Sequence, residues 1–424
     1  MDNNTLNIKN INSKVEILTI GDELLIGQVI DTNSAWMAQE LNKAGFSVSR
    51  IISVGDNESA ILEALKGATQ RAKIVLITGG LGPTRDDITK KTLCKFFNTK
   101  LVFNEDVYTD IVEMLSKRMS NINQLNKEQA LVPEICEVIR NPEGTAPILW
   151  FNSNENVVIS MPGVPFEMKF AMSENIIPRL KKMFKTDVII HKTINIYNIP
   201  ESVLAEKLTE WENNLPPFIK LAYLPAYGKI RLRLTAIGDK TIQDEIQQKI
   251  DSLYPIIGEN IYGLDDISAP EMLLNSLKKK NATIATAESC TGGYIAHLIT
   301  SISGASDCYK GSIIAYSNQL KMSLLDVNKE VIEKYGAVSQ QVVEQMAQGI
   351  CKNFDTDYAI ATSGIAGPTG GTQQKPVGTV WIAWANKKEV KSELFNMGNN
   401  RERTITRTSE TAIISLKMML EKGF

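Results

Sequence analysis

Residues 15–54 read VEILTIGDELLIGQVIDTNSAWMAQELNKAGFSVSRIISV. The short apolar run VEILTI, residues 15–20, predicts a strand. Thr32–Ala44 reads as an amphipathic helix and Phe46–Val54 as the next strand, after which a further helix and KIVLIT, residues 73–78, repeat the alternation. Strands that alternate with helices build a parallel sheet with helices on its faces. Loops follow these strands at GDE (21–23), GGLGPTRDD (79–87) and MPGVPFE (161–167). In a parallel α/β sheet such loops gather at the carboxyl ends of the strands, where ligands bind. This unit is expected over residues 1–172.

Farther along, the texture changes. A helix-like stretch at Val203–Glu212 accompanies KIRLRLTA, residues 229–236, in which Ile230, Leu232 and Leu234 alternate with Arg231 and Arg233. A period of two marks a strand buried on one face, its arginines solvated or within reach of a phosphate. A small α+β unit over residues 173–264 is predicted. From Ala269 an amphipathic helix opens a third unit, residues 265–424, with strand candidates at NATIATAE, GSIIAYS, DYAIATS and GTVWIAWA and a closing helix over Arg401–Lys422. The predicted fold class is α/β, with two three-layer α/β domains of mainly parallel sheet joined by the small α+β domain. No direct repeat relates the outer domains.

The composition, 43% hydrophobic and 22% charged over 424 residues, is that of a globular protein of roughly three domains. Apolar stretches such as Val380–Ala385 fall far short of the ~20 residues that span a bilayer. The polar opening MDNNTLNIKNINSK lacks the apolar core of a secretory signal and predicts a frayed tail. Cys94, Cys136, Cys290, Cys308 and Cys351 form neither a CxxC pair nor an even framework, which argues against zinc and secreted disulfides and for a reducing cytoplasm. A net charge of -2 supplies no field to attract nucleic acid, and Lys278–Lys280 reads as a solvated helix face. Neither nucleic acid nor membrane is an expected partner.

TAESCTGG, residues 286–293, places Ser289 between a strand and a helix whose Ile295, Leu298, Ile299 and Ile302 follow helical spacing. Ser289 is expected at that helix N-terminus, where unpaired N–H groups and the dipole hold an oxyanion or a phosphate. The plain alternative is a serine that caps the helix. A serine nucleophile also needs a base. Of the two histidines, His191 lies in the middle unit and His297 stands about two turns along the same helix, roughly 12 Å of rise away, so a Ser–His–Asp triad is not expected. A lysine of depressed pKa replaces histidine in Ser–Lys variants. In GSIIAYSNQLK, residues 311–321, a strand would deliver Tyr316 and the following turn Lys321. Tyr316 orients the lysine, shuttles a proton or packs on the core; spacing leaves these open. The loop SGIAGPTGG, residues 363–371, exposes backbone N–H groups suited to a phosphate or an oxyanion. Cys290 is a rival nucleophile without a nearby histidine to activate it.

In GGLGPTRDD, glycines let a ligand approach the backbone, Thr84 is a candidate helix cap, and Asp86 and Asp87 form an acidic pair. Carboxylates beside a phosphate-sized anion site call for a divalent metal, and magnesium prefers such oxygen ligands. Metal-assisted pyrophosphate hydrolysis is the functional reading. The alternative places both aspartates in a first helical turn for dipole and capping reasons.

TAESCTGG, AYSNQLK, GAVS (Gly336–Ser339), SGIAGPTGG and KPVGTVW, five motifs in order, together resemble the nicotinamide mononucleotide deamidase family. The resemblance implies Ser289 as nucleophile, Tyr316 and Lys321 as its activating partners, and no cofactor. It implies substrate contacts at Cys290, Thr291, Gly292 and Gly293 and at Ser363, Gly364, Gly367 and Gly371, Ser363 standing where the family carries Ser or Thr. It also implies arginines near the last helix, here Arg401 and Arg407. Arginine suits the substrate's 5′-phosphate because it binds in bidentate geometry; surface salt bridging is the alternative. The implied reaction is attack of Ser289 on the carboxamide, loss of ammonia and hydrolysis of the acyl-enzyme to nicotinic acid mononucleotide.

GDELLIGQVIDTNSAW, TGGLGPTRDDIT and MPGVPFEM resemble the molybdopterin-binding fold of molybdenum cofactor biosynthesis proteins. They are more closely similar to the N-terminal half of the competence and damage-inducible CinA family, so the resemblance covers nearly the whole chain. It implies an ADP-ribose pyrophosphatase that yields AMP and ribose 5-phosphate. Asp86, Asp87, Glu23 and Asp56 would then serve a divalent metal such as Mg2+, with Gly79, Gly80, Gly82, Thr84, Pro162 and Gly163 around the substrate. A homodimer and a KH-like middle domain are implied as well. No GxxG loop occurs between Glu174 and Gly258, so RNA binding is not expected. The competing classes are a molybdopterin- or nucleotide-binding module without turnover and a regulatory protein linked to competence.

Overall fold

A computed structural model describes residues 14–116, 124–153, 156–226, 229–239 and 241–424. The tail predicted ahead of the first strand lies outside the described residues. The chain forms two compact units, Met1–Ile190 with Ala236–Gln243, and His191–Thr235 with Asp244–Phe424.

The first unit contains β1 (Lys14–Ile20), β2 (Ser47–Val54), β3 (Ile74–Thr78), β4 (Leu101–Phe103), β5 (Leu131–Pro133), β6 (Glu137–Ile139), β7 (Ile148–Asn152) and β8 (Val157–Met161). Six of them make one sheet, in the order β2-β1-β3-β8-β7-β6. It is parallel from β2 to β8 and antiparallel beyond, while β4 and β5 pair separately. All of β3 and β8 is buried. Their side chains alternate between two cores, Ile74 and Leu76 on one face and Val75 and Ile77 on the other, as strand periodicity requires. The helix Thr32–Lys43 starts where the Asp31 carboxylate accepts the Ser34 N–H at 2.9 Å, and it lays Met37 and Leu41 on the core of Val15 and Ile17.

Beyond this, β9 (Val188–Tyr197), β10 (Ile219–Ala226), β11 (Lys229–Gly238) and β12 (Ile261–Leu264) form a sheet in the order β10-β11-β9-β12. Along β11, Ile230, Leu232 and Leu234 are buried while Arg231 and Arg233 are exposed, as the alternation predicted.

The last sheet consists of β13 (Ile284–Glu288), β14 (Tyr309–Ile314), β15 (Tyr358–Gly364), β16 (Thr379–Asn386) and β17 (Val390–Asn396), in the order β14-β13-β15-β16-β17. The first three of that order run parallel and the last two antiparallel. One face is paved with alanines, among them Ala285, Ala287, Ala359 and Ala361, against the helix Gln340–Asn353. On another side the same helix closely approaches the end of the helix Asn318–Leu325, where a Cβ on Gly349 would stand 2.0 Å from the Leu325 carbonyl oxygen. The opposite face carries Ile284, Ile360, Ile382 and Trp384 against the helices Ala269–Lys279 and Arg401–Lys422. Because β13, β14 and β15 are parallel, the segments after Glu288, Ile314 and Gly364 emerge at one end of the sheet. Among the described residues no helix is long and apolar enough to cross a membrane.

Candidate active site

Ser289 follows β13 directly, and its backbone N–H donates to the Thr362 carbonyl on the neighbouring β15 at 3.1 Å. Lys321 arrives from the adjacent strand. Sequence reading placed it in a turn; it stands in the first turns of a helix, Asn318–Leu325, that begins where the Ser317 hydroxyl accepts the Leu320 N–H. Its side chain is 2% exposed, and its Nζ lies 3.1 Å from the Ser289 Oγ. The same amine donates to the Ala315 carbonyl at 2.9 Å and approaches that of Tyr316 at 3.5 Å. All three contacts are neutral groups. Burial therefore pulls the Lys321 amine below its ordinary value, which favours the neutral form with a lone pair free to take the serine proton.

The helix behind Ser289 overturns one expectation. It spans Tyr294–Thr300, and its cap is Gly293, so Ser289 is neither the cap nor at the first turn. Its free N–H groups are already occupied. The fully buried Glu288 carboxylate accepts the backbone N–H of Gly293 at 3.0 Å, Ile295 at 3.1 Å and Ala296 at 2.9 Å, and the Thr291 hydroxyl at 2.7 Å. An internal anion thus satisfies the helix dipole, and the N–H groups of Gly293, Ile295 and Ala296 are not left for an oxyanion or phosphate. Gly292 and Gly293 adopt φ of 60° and 95°, which glycine takes without strain and which the turn requires. Sequence reasoning missed Glu288 although it lies inside the quoted motif.

A cleft of about 190 Å3 opens over the pair, lined by Ser289, Cys290, Tyr316, Asn318, Lys321, Ala337, Val338, Ser363, Gly364, Ala366 and Arg401. Thr291, Gly292, Gly293, Gly367, Gly371 and Arg407 are not among its lining residues. Ser363 is held by donation of its hydroxyl to the Ala337 carbonyl at 2.8 Å. Gly371 packs its own loop, where a Cβ would meet the Val377 nitrogen at 2.7 Å. Arg401 reaches the Gly367 carbonyl at 2.8 Å and the Tyr316 hydroxyl at 3.3 Å. Tyr316, 62% exposed, therefore does not pack on the core; its ring meets Arg401, and only its carbonyl approaches Lys321. Arg407 donates to the Met397 carbonyl at 2.9 Å instead of facing the cleft. The Cys290 thiol is pushed up to about 12, chiefly by burial, which removes it as a thiolate nucleophile. His297 is exposed and stacks on Tyr294. Asn318, Ala337 and Val338 are lining residues that the sequence reading did not single out.

In the first unit a second cleft, of about 420 Å3, gathers Gly79, Gly80, Gly82, Pro162 and Gly163 with Glu23, Asp56, Asp86 and Asp87. Gly79 is obligatory here: its φ is 108°, and a Cβ would stand 2.1 Å from the Ile20 carbonyl oxygen. Thr84 caps no helix; its N–H and hydroxyl both donate to the Asp87 carboxylate, and the next helix starts only at Thr89. Asp86 and Asp87 therefore precede the first helical turn. Asp22 and Asp56 accept each other's backbone N–H. Burial first, then the charges of Asp22, Glu23 and Asp86, raise the Asp56 carboxyl despite the Asp22 N–H. Among the described residues no three His, Cys, Asp or Glu side chains stand close enough to hold a metal ion by themselves. Two further groups escaped the sequence reading. Glu167 lines the cleft, with its carboxyl raised by burial against the Asn141 amide 2.7 Å away. Lys90, buried with its Nζ 2.6 Å from the Gln129 carbonyl, is pulled down to about 8 by desolvation.

Fold and sites define an α/β protein with a buried serine–lysine pair at the strand ends of one sheet and a glycine- and acid-lined cleft at those of another. Residues 16–182 match the family model "Probable molybdopterin binding domain", residues 191–263 the "Damage-inducible protein CinA KH domain" and residues 267–420 the "CinA C-terminal domain". A "CinA-like protein" of Cytophaga hutchinsonii is 50% identical, over 95% of this chain and 96% of its own. Another, of Flavobacterium psychrophilum, is 47% identical over 97% and 99%. The solved competence/damage inducible protein CihA of Agrobacterium tumefaciens is 34% identical, covering 36% of this chain and 95% of its own, at a TM-score of 0.35. The chain belongs to the CinA family.

Proposed function

We propose that the C-terminal site is a serine amidohydrolase that converts nicotinamide mononucleotide to nicotinic acid mononucleotide and ammonia. The observation that carries this reading is the 3.1 Å approach of a buried lysine amine, held below its ordinary value, to the Ser289 hydroxyl. Neutral Lys321 takes the Oγ proton as the oxygen attacks the carboxamide carbon. The tetrahedral intermediate then expels ammonia, which receives that proton from the Lys321 ammonium. Water, deprotonated by the same amine, cleaves the ester and returns the proton to Ser289. Arg401, at the cleft wall beside the exposed Tyr316 ring, is the group suited to the 5′-phosphate. The test is an acid-quenched reaction analysed by peptide mass spectrometry. The reading requires an acyl adduct on the peptide that contains Ser289, and an adduct on any other nucleophile refutes it.

For the N-terminal cleft the proposal is hydrolysis of the pyrophosphate of ADP-ribose. Support comes from five carboxylates and five glycines around one space. A divalent cation such as Mg2+ would be held jointly by one or two of these carboxylates and the pyrophosphate, a mode common for magnesium; it would supply charge neutralisation. Incubation with ADP-ribose and Mg2+ should release AMP from the parent and not from Asp86→Asn.

A further inference from the structure

Within the second unit, residues of β9, β11 and β12 and of the C-terminal helices line a cleft of about 460 Å3 away from Ser289. Two of its lining side chains are buried polar groups with unused capacity. Tyr262 is 4% exposed, and its hydroxyl makes no hydrogen bond among the described residues. Asn195, also 4% exposed, spends its amide N–H on the Asp265 carbonyl at 2.9 Å and leaves its Oδ1 without a partner among the described residues. The side chains are held in place by burial while these two oxygens open onto the cleft, where water or a ligand can meet them.

Arg231 lines the same cleft and makes no ion pair among the described residues, whereas Lys229 beside it is spent on Glu410 at 2.7 Å. A free guanidinium close to a phenol hydroxyl suits a phosphate. Pro270, Leu298 and Ile302 give the cleft an apolar wall for a flat ring. Asp265, whose carboxylate is tied to Lys192, and the exposed Asp266 also line the cleft, and such acceptors suit sugar hydroxyls and repel a second anion. Few polar groups against an apolar wall is the usual make-up of a small-molecule site.

We infer that this cleft binds a mononucleotide: phosphate on Arg231 and Tyr262, base on the apolar wall, ribose hydroxyls on the Asn195 and Asp266 side. Its wall includes Glu410, on the helix whose first residue, Arg401, lines the Ser289 cleft. Occupants of the two clefts thus share one rigid element.

The test uses AMP, which has no carboxamide to hydrolyse, titrated calorimetrically into the full chain. Arg231 is exposed and Tyr262→Phe removes one oxygen, so both variants should keep the parent's melting temperature. In Arg231→Ala one AMP per chain should be lost or weakened at least tenfold, Tyr262→Phe should weaken the same event, and Arg401→Ala should retain it. AMP isotherms that match the parent in both Arg231→Ala and Tyr262→Phe, or loss of that event in Arg401→Ala, would overturn the assignment.

Discussion

The Glu288 carboxylate meets the backbone N–H of Ala296 at 2.9 Å and closes the helix behind Ser289 with an anion of the chain's own. Glu288→Gln replaces one acceptor oxygen with a donor that faces N–H groups. Buried donors left unmatched should cost roughly 3 kcal/mol. Urea unfolding monitored by circular dichroism checks this; a midpoint equal to the parent's would show that the carboxylate does not hold the turn.

Arg401 and Arg407 should separate cleanly. Removal of a phosphate clamp that acts equally in ground and transition states raises KM and spares kcat. Arg401→Ala is expected to raise the KM for nicotinamide mononucleotide about tenfold or more, the loss of a charge-assisted contact. Arg407, which faces the Met397 carbonyl and not the cleft, should leave KM unchanged when replaced by lysine. Steady-state kinetics of the two variants decides, and a larger KM effect in Arg407→Lys would reverse the assignment.

The pH profile follows from Lys321. Its folded value is lowered by burial, so the neutral base forms at a lower pH than in an ordinary lysine, whose value is 10.5. kcat/KM should rise with pH along a limb whose midpoint lies below 10.5, because that ratio reports the free enzyme. A limb centred at the ordinary lysine value would contradict a desolvated base.

Lys90 makes a stability prediction. Its folded value is about 8 against an ordinary 10.5. Between those values the unfolded chain holds a proton that the folded chain has released, so stability rises with pH through that window. Below pH 8 the cost of burying the charged amine is fully present. Lys90→Met lacks this increment, and its unfolding midpoint should gain less than the parent's between pH 8 and 10. Parallel urea titrations test it; equal gains would mean that Lys90 titrates normally.

Much of the fold was legible because period and punctuation report on local structure. The alternation in KIRLRLTA and the helix Arg401–Lys422 were read to within a residue or two at their ends. The antiparallel edges β6–β7 and β16–β17 were not, since pairing direction depends on connections rather than on the apolar content of each strand. The Ser289–Lys321 pair was found by chemical elimination and motif, while its environment was not. Glu288 looks like any strand-end carboxylate until donors five to eight residues later fold back on it. Lys90 hides for a similar reason, as its carbonyl partner lies 39 residues away. Arg407 failed on helix phase: six residues beyond Arg401, at ~100° per residue, points a side chain to another face.

The most direct test of the central claim is ammonia release from nicotinamide mononucleotide by the purified chain, beside Ser289→Ala and Lys321→Ala. The serine–lysine account predicts release by the parent and its collapse, by a factor of about 10³ or more, in both variants. No release from a folded parent, or undiminished release from Ser289→Ala, would contradict it.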